Sequence, residues 1–149
     1  MIKPAPIDIA DLFAHNKGIR RTTRMSQLRI YRCEKCGKII VVLKPSACGT
    51  MCCGQEMVEL QANTTDAAQE KHVPAVTRDG NVISVNVGTV DHPMTEEHYI
   101  EFIVLETKTG FRVEYLKPGD APKADFYEKE KAIAVYAYCN LHGLWKLEA

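Results

Sequence analysis

A thiol and an imidazole three positions apart near the C-terminus are the residues best suited to chemistry. They are Cys139 and His142, and Gly143 directly after them lets the backbone turn tightly. Three more histidines stand upstream: His72, His92 and His98. One thiolate and four neutral imidazoles suit a redox-active first-row metal, with iron as the leading candidate. Zinc is normally satisfied by four ligands and offers no redox chemistry. The fifth histidine, His15, receives no role.

A second group of sulfur ligands lies in the first half of the chain. Cys33 and Cys36 form a Cys-x-x-Cys turn, and the adjacent pair Cys52 and Cys53 follows. Four thiolates in a tetrahedron suit either zinc or a single iron ion. A zinc ribbon usually repeats the Cys-x-x-Cys spacing, and an adjacent pair is unusual there. Cys48 lies close before the pair and could compete as a ligand.

The elements that would position the histidines are short strands. Apolar residues recur at every second position in three segments: Ile83, Val85 and Val87; Phe111, Val113 and Tyr115; Ile133 and Val135. In the last segment, Ala132 and Ala134 are expected on the opposite face. Glycines and the turn Lys117–Asp120 separate the segments. This pattern predicts an antiparallel sandwich or barrel.

The region around the cysteines is predicted to be a small unit of its own. The β-branched run in Lys38–Leu43 and the segment Met57–Leu60 predict strands. Thr65–Lys71 predicts one helical turn in a linker. Because about thirty residues bury little core, a metal ion is expected to contribute folding energy to this unit.

Composition excludes several classes of function. The chain has 149 residues, is 46% hydrophobic and carries 19 basic and 19 acidic side chains. This balance disfavours nucleic-acid binding as the main task, because phosphate recognition needs a surplus of Lys and Arg. No apolar run approaches the roughly 20 residues of a membrane span. The absence of an export signal predicts a cytoplasmic protein, in which six reduced cysteines indicate metal ligands before disulfides.

Three regions are predicted along the chain. Residues 1–29 form an N-terminal arm, residues 30–62 the cysteine module and residues 63–149 the β domain. In the arm, Ile9, Leu12 and Phe13 have helical spacing, and Gly18 is a plausible stop. The basic segment Lys17–Arg29 contains no acid and is interpreted as a solvated tail, with a binding arm as the alternative. Met25 is a candidate for the true start.

Five blocks of the sequence, in order, resemble desulfoferrodoxin, the family of two-iron superoxide reductases. These blocks are Glu70–Pro74, Val87–Met94, His98–Glu101, Leu116–Pro122 and Tyr138–Trp145. The resemblance runs from about Tyr31 to Trp145, or roughly three quarters of the chain. It implies a mainly β protein, in which an immunoglobulin-like antiparallel β-sandwich follows a small desulforedoxin-like cysteine module.

The resemblance also implies two mononuclear iron sites. One is a rubredoxin-type iron held by the four thiolates of Cys33, Cys36, Cys52 and Cys53. The other takes its axial sulfur from Cys139 and its equatorial nitrogens from four histidines: His72, His92, His98 and His142. The family pattern uses the adjacent cysteine pair, so Cys48 is left out of the first set.

Two charged residues precede the first histidine of the second set. By resemblance, Lys71 would attract anionic superoxide and position water for protonation. Glu70 would be a displaceable ligand of the oxidised iron. For an arbitrary Glu-Lys pair, a solvated surface pair is the simpler interpretation.

The resemblance implies one-electron reduction of superoxide to hydrogen peroxide without release of dioxygen. The expected partners are superoxide and a small electron donor such as rubredoxin, and the expected assembly is a homodimer. Two alternatives remain from the sequence: a non-catalytic electron carrier with two iron centres, and a redox or metal sensor that contacts DNA through the basic arm.

Overall fold

The computed structural model describes residues 28–149. The helix predicted in the arm and most of the basic segment lie outside these residues. Within them, one short helix, α1 (Gln69–His72), accompanies twelve strands. In chain order, the strands are β1 (Arg29–Arg32), β2 (Ile39–Val42), β3 (Met51–Cys52), β4 (Gln55–Glu56), β5 (Val58–Glu59), β6 (Pro74–Asp79), β7 (Val82–Val87), β8 (Ile100–Thr107), β9 (Phe111–Tyr115), β10 (Lys123–Tyr127), β11 (Ala132–Cys139) and β12 (Gly143–Glu148). The prediction of a mainly β protein is confirmed.

The cysteine module is a three-stranded antiparallel sheet with a short hairpin beside it. Its strand order is β2-β1-β5, and β3 pairs with β4 in the hairpin. The predicted strands at Lys38–Leu43 and Met57–Leu60 are confirmed as β2 and β5. The first cysteine turn closes when the Gly37 N–H donates to the Cys33 carbonyl at 2.8 Å. Gly37 has φ 75°, a conformation that favours glycine.

The remaining strands form two antiparallel sheets, of order β10-β7-β6 and β12-β11-β8-β9. Their facing side chains make one hydrophobic core, to which β7 contributes Ile83, Val85 and Val87. The alternation predicted for that strand and the antiparallel sandwich are therefore confirmed. The alternation predicted for β9 is correct only in part, because Tyr115 at its end is 77% exposed.

The central strand β11 is buried on both faces. Val135 and Ala137 face the inner core, whereas Ala134, Tyr136 and Tyr138 belong to a second cluster with Ile30 of the cysteine module. The module sheet therefore covers the outer face of the four-stranded sheet. The prediction that Ala132 shares the face of Ala134 is wrong. A register irregularity between these two residues resets the alternation, and Ala132 packs against the inner core.

One end of the sandwich gathers the ends of several elements. The helix α1 ends two residues before β6 begins, and Pro74 of β6 pairs with Val87 at the end of β7. At the same end, Ile100 at the start of β8 pairs with Cys139 at the end of β11. Segments far apart in sequence therefore meet there. No helix among residues 28–149 is long and apolar enough to cross a membrane.

Candidate metal centres

The candidate ligands of the second site sit where the strands of the sandwich end. His72 is the last residue of α1, and Cys139 is the last residue of β11. His92 and His98 lie in the loop between β7 and β8, and His142 lies in the turn between β11 and β12. The tertiary fold thus brings together residues that span 70 positions of the chain.

The four imidazole rings form a near-square. Adjacent ring centroids are 4.6 Å apart for His72–His92 and His92–His98, and 4.8 Å apart for His98–His142 and His142–His72. Each adjacent pair is close to perpendicular, with interplanar angles of 79–84°. The diagonal pair His72–His98 is 6.0 Å apart. This arrangement points several ring nitrogens at one centre.

The Cys139 thiol completes the cluster. One ligand atom each from His72, His92, His98 and Cys139 lies within 4.8 Å of the others. The fifth candidate, His142, has its Nδ1 2.9 Å from His72 Nε2 and 3.7 Å from Cys139 Sγ. All five predicted residues are therefore in one place, with His142 entering through Nδ1.

Hydrogen bonds set the tautomers of two of the rings. Nδ1 of His72 donates to the Ala68 carbonyl at 2.7 Å, and Nδ1 of His92 donates to the Pro93 carbonyl at 2.6 Å. Metal-binding histidines are typically oriented by such a bond through their second nitrogen. The Nε2 atoms of His92 and His98 are buried and have no partner among the described residues. A buried ring nitrogen without a partner is costly, and a metal ion would satisfy it. The donor set therefore fits a metal.

Burial keeps the imidazoles in the form that binds metals. It lowers the pKa of His92 to about 4, and it also lowers the pKa values of His72 and His98. These three rings are consequently neutral near pH 7. Burial raises the pKa of the Cys139 thiol, which a bound cation would reverse. The His142 N–H lies 3.4 Å from the Cys139 sulfur, as a weak donor to it.

Two residues that support this site have no predicted role in the sequence analysis. Trp145 is fully buried, and its ring stacks on His72 at 4.7 Å. Gly88 has φ 85°, and a Cβ built there would lie 2.7 Å from the carbonyl oxygens of Glu70 and Lys71. The glycine thus permits close contact between the α1 backbone and the β7–β8 loop. A glycine directly after a predicted strand is the signal that points to it.

Glu70 and Lys71 lie in α1 directly before His72, and both side chains are exposed. Their backbone is held by the β7–β8 loop, because the Val90 N–H donates to the Glu70 carbonyl at 3.0 Å. The two charged side chains are therefore exposed on the helix that carries His72. Their catalytic roles stay predictions.

The four predicted cysteines of the first site also come together. The ligand atoms of Cys33, Cys36, Cys52 and Cys53 lie within 4.8 Å of one another. The Cys36–Cys52 and Cys52–Cys53 sulfur distances are 3.7 and 3.9 Å. Tetrahedral coordination with metal–sulfur bonds of about 2.3 Å requires sulfur separations of about 3.8 Å, so these thiols also fit a metal. Cys48 is exposed and lies outside this group.

Local backbone geometry builds this thiolate cluster. Cys53 has φ 51° and Gly54 has φ 77°, and these two left-handed residues turn both sulfurs of the adjacent pair towards the first cysteine turn. The backbone N–H of Cys36 lowers the pKa of the Cys33 thiol to about 7. The neighbouring Cys36 thiol raises the pKa of Cys53. One thiol of the cluster is thus already close to ionisation at neutral pH.

Two protein-family models match the chain. The model described as "Desulfoferrodoxin, N-terminal domain" matches residues 25–60, and the model described as "Desulfoferrodoxin" matches residues 64–148. The Archaeoglobus fulgidus "Desulfoferrodoxin homolog" is 44% identical over 119 residues, which are 80% of this chain and 95% of that protein. The Nitratidesulfovibrio vulgaris "Desulfoferrodoxin" is 44% identical over 124 residues, which are 83% of this chain and 98% of that protein.

A solved structure shows the same fold. The chain superimposes on the crystal structure of the superoxide reductase from Treponema pallidum with a TM-score of 0.70 and 31% sequence identity. The match covers 83% of this chain and all of the other. The two family models together span the cysteine module and the sandwich.

Proposed function

Because the chain belongs to the desulfoferrodoxin family, we propose that it is a superoxide reductase, which reduces superoxide by one electron to hydrogen peroxide. The observation that carries this proposal is the near-square of four imidazoles beside the buried Cys139 thiol. Similarity to the solved superoxide reductase from Treponema pallidum supports it. No observation favours a carrier or sensor function.

The proposed holders of the reactive iron are Cys139 and the four histidines of the square. When bound there, iron supplies one-electron redox chemistry, which zinc does not offer. Because burial lowers the pKa values of His72, His92 and His98, most of the positive charge at the site would come from the metal. The Cys139 thiolate would donate electron density to the iron and would partly neutralise that charge. The four thiolates of the cysteine module would hold the second iron.

The exposed residues of α1 would handle the substrate. Superoxide is an anion, and Lys71 places a positive charge beside His72, where it raises the local concentration of anions. The same ammonium group can hold a water molecule from which a proton reaches the product. Glu70 would bind reversibly as a displaceable carboxylate. The balanced reaction consumes one superoxide, one electron and two protons for each hydrogen peroxide formed.

Three further features complete the proposal. A small electron donor such as rubredoxin and assembly as a homodimer come from the family resemblance. A cytoplasmic location, in which the protein would detoxify superoxide, is predicted from the sequence. None of the six cysteines forms a disulfide, which agrees with a reducing compartment. Donor and assembly stay predictions.

The deciding experiment is the yield of peroxide per superoxide consumed, on the fully reduced protein with its metal content assayed in parallel. A reductase forms one peroxide for each superoxide, whereas a dismutase forms one for every two. We expect a yield close to one, accompanied by oxidation of the histidine-bound iron. A half yield would identify a dismutase. No consumption by protein loaded at both sites would exclude both enzymes.

A further inference from the structure

Asn140 lies between two candidate ligands, Cys139 and His142, and its side chain binds a different ligand loop. Its Nδ2 donates to the Glu97 carbonyl at 2.9 Å, and its Oδ1 accepts from the Tyr99 N–H at 2.9 Å. These two backbone groups flank His98 on either side. One amide side chain therefore clamps both ends of the segment that carries the His98 imidazole.

The backbone of Asn140 adds a third bond to the same segment. Its N–H donates to the Tyr99 carbonyl at 3.2 Å. In contrast, the N–H and carbonyl of His98 both bond to Thr95, which belongs to the same loop. The loop turn alone therefore cannot place His98 relative to Cys139. Asn140 makes that connection.

The strand ladder does not provide this connection. Tyr138 of β11 pairs with Phe102 of β8, but the next residue, Cys139, pairs with Ile100, so the register is irregular at this point. On the N-terminal side of Ile100, towards His98, the chain is no longer part of the sheet. Where regular strand pairing ends, the Asn140 side-chain amide supplies the hydrogen bonds between the two segments.

His98 also differs from His72 and His92 in the support of its ring. The rings of His72 and His92 are each held through Nδ1 by a backbone carbonyl. Among the described residues, no such bond is made by the ring of His98. Its ring is also less buried than those of His72 and His92. The orientation of His98 therefore depends on its backbone, which Asn140 holds.

We propose that Asn140 is a positioning residue, which sets the separation between the His98 imidazole and the Cys139 thiolate and thereby the affinity of this centre for its metal. The inference rests on the metal site of the proposed function. Groups that orient metal ligands typically contribute about 10–100-fold to affinity. Asn140 is not itself among the candidate ligands, so Asn140→Ala keeps all five ligand residues and changes only how they are positioned.

The chain offers a matched control in Asn63. Its Nδ2 donates to the Lys146 carbonyl at 3.0 Å, and the Lys146 N–H donates to its Oδ1 at 2.8 Å. This is the same pair of amide bonds to a backbone, made to β12 without contact to a ligand loop. Asn63 has φ 60°, so alanine there also adds strain. Asn63→Ala should therefore cost at least as much stability as Asn140→Ala.

The test is a metal titration of the full-length protein. One equivalent of Zn²⁺, which has no d–d absorption, first fills the four-thiolate site, and Co²⁺ is then added while its absorption bands are followed. We expect Asn140→Ala to bind this Co²⁺ about 10–100-fold more weakly than wild type, with a shifted spectrum. Asn140→Asp keeps the acceptor for Tyr99 but loses the donor to Glu97, so an intermediate loss is expected. Asn63→Ala should bind within about twofold of wild type.

Two results would overturn the inference. One is unchanged Co²⁺ affinity and spectrum in Asn140→Ala. The other is an equal loss in Asn63→Ala, which would assign the effect to global stability. If wild type itself bound no Co²⁺ after the zinc, the metal site of the proposed function would fail, and the inference with it. None of these measurements uses superoxide turnover. If wild type bound Co²⁺ but reduced no superoxide, the proposed function would fail and the inference about Asn140 would still hold.

Discussion

The two ligand clusters reach a metal-binding geometry by different routes. The thiolate cluster is assembled within positions 33–53 from two tight turns, and three of its four sulfurs belong to residues that are not fully buried. The imidazole cluster draws ligands from positions 72–142 and lies at the end of a packed core, with His72, His92 and Cys139 almost completely inaccessible. One cluster depends on local backbone conformation and the other on the folded sandwich.

This difference indicates which cluster needs its metal to fold. The sandwich has a core of large apolar residues from two sheets, whereas the module has strands of four residues or fewer. The module should therefore depend on its metal. The histidine cluster should persist without metal, held by hydrogen bonds such as that from His72 to Ala68.

The largest expected effect is the loss of the metal ion from one cluster while the other cluster keeps its own. His92→Gln removes a fully buried ligand with limited loss of volume. Because loss of a group that only orients a ligand already costs about 10–100-fold, loss of the ligand should cost more than about 100-fold in affinity. Cys36→Ser should have the reciprocal effect on the thiolate centre. Metal analysis of both variants should give about one ion per chain instead of two. Loss of both ions from either variant would contradict the independence of the clusters.

The next effect concerns which sulfur belongs to which cluster. Cys139→Ser should abolish the thiolate-to-iron absorption band of the histidine-rich centre in the oxidised protein while the band of the thiolate centre persists. Cys48→Ser is the control, because Cys48 is exposed and lies outside both groups. It should leave both bands and the metal content unchanged. A lost band in Cys48→Ser would mean that the ligand set is wrong.

Metal removal should have unequal structural consequences. After both metals are withdrawn by a chelator, amide hydrogen exchange in β2 of the module should accelerate at least about tenfold. Amides at the centre of β11, which are bonded to strands on both sides, should keep their protection. Equal acceleration in both regions would show that the sandwich needs metal as much as the module does.

A smaller, salt-dependent effect should come from Lys71. Lys71→Ala should slow the second-order reaction with superoxide about tenfold at low ionic strength and flatten its salt dependence, with iron still bound. Lys108 lies just beyond the far end of β8, on the order of 25 Å from the His98 end at about 3.3 Å per residue, and Lys108→Ala should leave the rate unchanged. Stopped-flow rates over a range of salt would test both. Identical rates for wild type and Lys71→Ala at low salt would show that Lys71 does not steer superoxide to the site.

The smallest effect should appear where module and sandwich meet. Glu106 is 2% exposed, accepts from the Tyr136 hydroxyl at 2.9 Å, and has a pKa raised by burial. The folded state therefore holds its proton to higher pH than the unfolded state, so this group's contribution to stability decreases as pH rises above about 4.5. In Glu106→Gln that decrease should be absent, so the free energy of unfolding should fall less between pH 5 and 8 than it does in wild type. Denaturant titrations at both pH values would measure it. An unchanged pH dependence would show that Glu106 does not titrate differently on folding.

Prediction from sequence was most accurate where structure is local. The alternation of Ile83, Val85 and Val87 identifies β7 because one face of that strand meets the core and the other does not. The same method does not find β8, whose residues 103–107 are all buried because the module covers the second face. A strand buried on both sides has no period of two to detect. The spacing of apolar residues therefore also cannot predict the contact between module and sandwich.

The sequence by itself determined the chemistry of the ligands and the turns that hold neighbouring ones. Cys33 and Cys36, and likewise Cys139 and His142, can reach one ion because their spacing constrains a short stretch of backbone. Only the tertiary structure decided the square of imidazoles, the choice of ring nitrogen in each histidine and the clamp made by Asn140. Those features depend on packing between segments up to 70 residues apart, and no local spacing encodes such distances.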